Sequence, residues 1–228
     1  MSAGRPDELS GLLAAAAAAW PSAPAVEDAA GRRLSYAELD AAARRIAHRL
    51  HREGVRRGDR VGVCMPKSLA SVCSIMGILR AGAAYVPVDY SAPPERNAFI
   101  FQNCQARALC VDEPRAERLR GASPELPPLL LFPGEAGDGA TPAWLAESDV
   151  SWEPPERPRP DDLSYILDTS GSTGVPKGVM HTHRSALSFV RWCEDVFAPA
   201  PADRFSSHAP FHFDLSVLDL YVPMTAGA

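Results

Sequence analysis

The sequence lacks any apolar run long enough to cross a membrane: its longest, Leu12 to Trp20, covers nine residues where a bilayer asks for about 20. Asp7 and Glu8 precede it against Arg5 alone. An export signal opens with positive charge, so the run, with its six alanines at 14–19, reads as a short alanine-rich helix. A positive charge excess is missing too. At a net charge of −5 the chain has no long-range field to draw in nucleic acid or an anionic membrane surface, and any anionic ligand must be held by local groups. Cysteine is sparse: Cys64, Cys73, Cys104, Cys110 and Cys193 are odd in number and show no C-x-x-C spacing. That excludes a disulfide framework or a zinc knuckle and suits a reducing cytoplasm. Glycine, at 16, is outnumbered by 22 prolines, about twice the usual proline share. There is no internal repeat.

What is present is an ordinary globular mixture, 46% hydrophobic and 22% charged over 228 residues, enough for a substantial core and unlike a disordered chain. Ser35-Tyr36-Ala37-Glu38 has the S-x-x-E form of a capping box, and Leu39, Ala43, Ile46, Ala47 and Leu50 recur on one helical face. A helix over about 36–52 follows, with Gly54 as its stop. Arg60 to Met65 reads as a buried strand ended by Pro66, Ser68 to Leu79 as a helix, Ala83 to Val88 as a strand. Pro93 opens another helix, and Ala106 to Val111 is a third strand. The pattern resumes with a strand at Leu163 to Leu167 and a helix at Arg184 to Phe197. Helices alternating with short apolar strands imply an α/β fold with mostly parallel strands, covered on both faces.

The expected organisation is an N-terminal helical segment at 1–20, a first α/β part at 21–111, a proline-rich connection at 112–161 and a second α/β part at 162–228. The connection holds nearly half of the prolines, among them Pro127-Pro128 and Pro154-Pro155, and little periodicity beyond Leu129 to Phe132, where one strand is expected.

The most informative stretch runs from Asp168 to Gly178, directly after an expected strand. Thr169, Ser170, Ser172 and Thr173 supply four hydroxyls, Gly171, Gly174 and Gly178 three glycines, and Lys177 a mobile positive charge. Glycines let backbone amides close around an anion, and hydroxyls donate to phosphate oxygens. As composition alone the stretch also fits a flexible turn. A Walker A loop needs G-x-x-x-x-G-K followed by Ser or Thr, and here Lys177 precedes Gly178. A dinucleotide fingerprint does not fit either.

In residue order, Thr169-Ser170-Gly171-Ser172-Thr173-Gly174-Val175-Pro176-Lys177-Gly178 resembles the signature phosphate loop of adenylate-forming (AMP-binding) enzymes: acyl-CoA synthetases, nonribosomal peptide synthetase adenylation domains and luciferases. Leu34 to Leu39 is similar to the first core motif of peptide synthetase adenylation domains and Leu79 to Asp89 to the second. The resemblance covers the chain from about residue 20 onward and implies the N-terminal subdomain of the adenylate-forming fold. It also implies ATP and Mg²⁺, attack of a carboxylate on the α-phosphate, release of pyrophosphate, and transfer of the acyl group to a thiol. Thr169, Ser170, Gly171, Ser172, Thr173, Gly174 and Lys177 would then hold the ATP phosphates. Asp168 stands where the family commonly has an aromatic or apolar residue, and is expected to point away from the nucleotide.

Pro210-Phe211-His212-Phe213-Asp214-Leu215-Ser216 resembles the fourth core motif of amino-acid-activating members, whose aspartate binds the substrate's ammonium group. A fixed carboxylate in a partly desolvated pocket discriminates strongly for a cation. The alternative for Asp214 is the cap of a helix starting at Leu215. His212 is a candidate lining residue of the same site, or ordinary packing. His181 and His183 form H-x-H, but two ligands without a third do not make a metal site, and His183 is expected near the start of the next helix.

The resemblance thus implies amino-acid activation for a carrier protein's phosphopantetheine thiol. The alternatives are an acyl- or aryl-CoA ligase, with CoA as acceptor, and a non-catalytic remnant or interaction module. Nothing downstream of the Asp214 motif matches the later family motifs that hold adenine, ribose and Mg²⁺, so the chain is expected to be an incomplete part of the fold. It is expected to hold pyrophosphate weakly and not to adenylate a substrate alone. No catalytic residue is assigned beyond the candidate His212.

Overall fold

The computed structural model describes residues 6–132, 151–169 and 176–228. Glu8 caps the first helix, α1 (Leu9–Ala19), its carboxylate accepting the Gly11 N–H. A short antiparallel hairpin, β1 (Pro24–Glu27) and β2 (Arg33–Ser35), leads into α2 (Tyr36–Arg52). The capping box forms as the sequence implies: the Ser35 hydroxyl accepts the Glu38 N–H at 3.3 Å, and the Glu38 carboxylate accepts the Ser35 N–H at 2.8 Å. Gly54, just beyond the helix, takes φ +88°, which a side chain would resist.

Alternation then sets in: β3 (Arg60–Cys64), α3 (Leu69–Arg80), β4 (Ala84–Pro87), α4 (Pro94–Asn103), β5 (Ala108–Asp112), α5 (Glu113–Ala122), β6 (Leu129–Phe132), β7 (Leu163–Thr169), β8 (Lys177–Thr182), α6 (His183–Phe197) and α7 (Ser216–Tyr221). The sheet order is β6-β5-β3-β4-β7-β8. All neighbours are parallel except β8, which runs antiparallel to β7. The α/β class and the mostly parallel sheet are as the alternation predicts.

Successive strand side chains point to opposite faces, and both faces are buried. Val61, Val63, Ala108, Cys110, Tyr165 and Leu167 face the core shared with α1, α2, α3, α6 and α7. Leu109, Val111 and Ile166 face a smaller core under α4 and α5. Two glycines permit the closest approaches: a Cβ at Gly77 would lie 2.5 Å from Ile46 on α2, and one at Gly62 would lie 2.4 Å from Phe101 on α4.

Residues 112–161, read as a connection with one strand, contain that strand as β6 and also a helix, α5. The Asp112 carboxylate caps it by accepting the Arg115 N–H at 3.0 Å, and Pro114 sits in the first turn where its missing N–H costs nothing. Its exposed face is so charged that Arg115, Ala116 and Leu119 alone are buried, too few to register as periodicity. Further on, Trp152 lies against the rings of His48 and His51, and Glu153 binds Arg80 at 2.8 Å and also Arg44. Arg57 pairs with Asp162 at 2.5 Å. No helix among the described residues is long and apolar enough to cross a membrane.

Candidate functional site

In a parallel sheet the loops beyond the carboxyl ends of the strands gather at one edge, where ligands bind in folds of this kind. Three parallel strands deliver residues to that edge, Met65 to Ser68 after β3, Val88 and Asp89 after β4, and Thr169 as the last residue of β7, and the antiparallel β8 begins beside them at Lys177. Thr169 and Lys177 are register partners, and the Thr169 hydroxyl donates to the Lys177 carbonyl at 3.3 Å. That pair brings the two ends of the phosphate-loop motif together, with both residues exposed. Ser170, Gly171, Ser172, Thr173 and Gly174 lie outside the described residues.

Alternation along β7 sends Thr169 to the face of Tyr165 and Leu167, and Asp168 to the face of Ile166. Asp168 therefore points to the opposite face from Thr169. Both its carboxylate oxygens are buried without a hydrogen-bond partner. Burial pushes its carboxyl above the usual carboxylate range, with Arg96 pulling weakly the other way.

The Phe211–Ser216 turn sits over the same edge. The Ser216 hydroxyl donates to the Phe213 carbonyl at 2.7 Å and the Phe211 carbonyl at 3.3 Å, folding the motif on itself. Asp214 is exposed. It is not the helix cap that the alternative reading required: α7 begins after Leu215 with no side-chain capping bond. Instead its charge bears on Tyr165, whose hydroxyl is pushed up to about 12, mainly by burial and then by Asp214. Tyr165 lies 5.4 Å from the ring of Tyr85, whose hydroxyl accepts that of Tyr221 at 3.2 Å. Tyrosines from β4, β7 and α7 thus form the floor beneath the Asp214 turn.

His212 is half-buried and faces Asp89 at the end of β4: burial lowers its proton affinity, while Asp89 raises it. Asp89 is held below the usual carboxylate range, since the Ser91 hydroxyl and N–H and the nearby His212 outweigh the upward push of burial. Sequence reasoning missed Asp89 as a member of this site, although it ends the second motif. It also missed Lys67. That ammonium donates to the carbonyls of Ser207 at 2.6 Å and Ala209 at 2.5 Å and lies 5.0 Å from the centre of the Phe211 ring. Burial lowers its proton affinity and Asp219 of α7 raises it.

The two histidines of H-x-H separate. His181 on β8 stacks on Tyr165 at 4.8 Å, whereas His183 opens α6 and is fully buried. Among the described residues no group of three or more His, Cys, Asp or Glu could hold a metal ion.

The structure is that of an α/β protein in which one edge of the sheet carries the Thr169–Lys177 pair and the carboxylate-bearing Asp214 turn. The chain belongs to the AMP-binding enzyme family, which it matches over residues 13–228. It is 39% identical over 196 residues to the L-proline–[L-prolyl-carrier protein] ligase of Pseudomonas fluorescens, covering 86% of this chain and 39% of that protein. It is 39% identical over 224 residues to the phosphinothricin tripeptide synthetase PhsC of Streptomyces viridochromogenes, covering 96% and 19% respectively. Among solved structures, the AMPPNP-bound nonribosomal peptide synthetase FmoA3 superposes with a TM-score of 0.83 at 33% identity, covering 100% of this chain and 23% of that one. ATP-bound MatB from Rhodopseudomonas palustris superposes at 0.84 with 26% identity, covering 96% and 44%. The chain thus spans less than half of each of these relatives.

Proposed function

We propose that this chain supplies the phosphate-binding part of a ligase that activates an amino acid with ATP and passes it to the phosphopantetheine thiol of a carrier protein. The observation that carries the reading is the convergence, at one edge of the sheet, of the Thr169–Lys177 motif and the Asp214 turn. A substrate carboxylate oxygen attacks the α-phosphorus, the bond to the α–β bridging oxygen breaks, and pyrophosphate leaves with the electron pair. The acyl adenylate is then attacked by a thiol, and AMP departs. In this reading Thr169, Lys177 and the hydroxyls and amides of 170–174 hold the departing phosphates, where fixed donors favour charge as it develops. Asp214 takes the substrate's ammonium group, and His212, facing Asp89, lines the path between the two. Mg²⁺, bound with the nucleotide, would neutralise phosphate charge. Carrier-protein and peptide-synthetase relatives support the acceptor, and five free cysteines, four of them buried, suit a reducing cytoplasm.

The test is amino-acid-dependent exchange of labelled pyrophosphate into ATP by the protein of the whole reading frame. One or a few amino acids should support exchange, and Asp214→Ala should abolish it, because the buried end of the substrate would lose its counter-charge. Exchange driven by fatty or aryl acids and indifferent to Asp214→Ala would refute the amino-acid reading. For the phosphate role, Lys177→Ala should weaken pyrophosphate binding to the chain itself about tenfold, the loss of one charge-assisted contact.

A further inference from the structure

The segment that leads into the Asp214 turn has no regular structure between residues 203 and 210, and most of it is exposed. Such a segment opens easily unless tied, yet it must present Asp214 and His212 in a fixed place. Its upstream ties are an exposed pair between Arg204 and Glu27 at 2.5 Å and the packing of Phe205 against the core. Neither acts on the residues next to the motif. Lys67 does: its two carbonyl acceptors flank His208, and its ammonium faces the Phe211 ring, the first side chain of the turn that reaches the core. Asp219, on the far side of the turn in α7, lies near enough to bear on the same ammonium. One side chain therefore bonds to the approach and faces the start of the motif.

The composition marks this position. Lys67 and Lys177 are the only lysines among 23 basic residues, and every ion pair found among the described residues uses arginine. A compact ammonium with three rotatable donors can satisfy two carbonyls and an aromatic face at once, where a planar guanidinium prefers a carboxylate. Lys67 is anchored in turn at the carboxyl end of β3, just before Ser68, whose hydroxyl caps α3.

We propose that Lys67 is a positioning residue that pins the Phe211–Ser216 turn to the central strand β3, setting Asp214 for the substrate's ammonium group; this rests on the amino-acid-activating reading above. Two experiments separate the inference from that reading. In hydrogen–deuterium exchange on the chain, Lys67→Met should speed amide exchange across 203–214 about tenfold or more while β5 is unchanged. In pyrophosphate exchange by the protein of the whole reading frame, Lys67→Met should raise KM for the amino acid about tenfold and leave KM for ATP within about twofold, with Lys67→Arg recovering only part of the loss. Unchanged exchange at 203–214, acceleration that includes β5, or an equal rise in both KM values would overturn the positioning role. If the unaltered protein activates no amino acid at all, the amino-acid reading falls. Amide exchange then still decides whether Lys67 holds the turn.

Discussion

His183 should make this protein acid-sensitive in a way that one substitution can isolate. Its ring is fully buried at the first turn of α6, its Nδ1 accepts the Leu9 N–H of α1 at 3.1 Å, and its Nε2 is buried with no partner. Burial lowers its pKa from 6.5 to about 4, against weaker upward pulls from Asp162 and Asp7. Asp162 is already committed to Arg57 and so offers a proton on His183 little compensation. With the folded pKa depressed, the unfolded chain binds the proton first; the stability is whole above pH 6.5 and is lost as pH falls toward 4. The linkage integral gives about 2 kcal/mol lost by pH 5 and about 3 kcal/mol below pH 4. Protonated Nδ1 would also face the Leu9 N–H donor to donor, so α1 should loosen first. The carboxylates held below their usual range, Asp28, Asp89, Asp161 and Asp162 among them, act mainly below pH 3.8, and the groups that titrate within the window, Asp168, His51 and His212, contribute equally to the wild type and the variant and cancel in their difference. Urea denaturation at pH 5, 6, 7 and 8 of the wild type and of His183→Asn, which keeps an acceptor for Leu9, measures the effect. The variant should lose about 2 kcal/mol less than the wild type between pH 8 and pH 5. A stability difference that stays constant over that range would refute the reasoning.

Asp168 should behave with the opposite sign: its carboxyl is raised by burial, so the folded state gains protons relative to the unfolded one and stability falls as pH rises from about 4. Asp168→Asn should therefore stabilise the chain more at pH 8 than at pH 4, checked by the same denaturation series. Gly62→Ala should cost about 1–3 kcal/mol, because its Cβ would meet Phe101 and Leu109 within 2.6 Å. Gly121→Ala, in α5 with nothing within 4 Å, should be neutral or gain up to about 1 kcal/mol, and thermal melts of the two compare them directly. Asp112→Ala removes both the α5 cap and the acceptor of the Tyr90 hydroxyl at 2.8 Å, and should lower stability by about 2–4 kcal/mol in chemical denaturation.

Elements whose local signals agree were legible in the sequence. In α2 the capping box, the apolar stripe and the glycine stop coincide, and its observed start at Tyr36 and end at Arg52 follow them. The strands β3, β4 and β5 were legible as short apolar runs because a central parallel strand is buried on both faces and leaves no room for polar alternation. α5 was not legible. Proline read as connection outweighed proline read as a first-turn residue, although Asp112 directly before Glu113-Pro114 was the available sign. His183 was placed at a helix start from its neighbours, but its burial depends on α1 arriving from 174 residues away, and no local pattern encodes that.

The candidate site divides along the same line. Motifs that are contiguous in sequence, the 169–178 loop and the 210–216 turn, could be found because each carries its chemistry within one stretch. What joins them could not, since the joining is done by strand ends: β3 delivers Lys67 to carbonyls 140 and 142 residues later, and β4 delivers Asp89 to His212. A parallel sheet makes this division necessary. Parallel strands return to the same edge only after a crossover, so residues that meet there are always far apart in the chain. Lysine at the end of β3 therefore had no meaning until the order β3-β4-β7 was known. With that order in hand, its contacts with the Asp214 turn follow from its place at the centre of the edge.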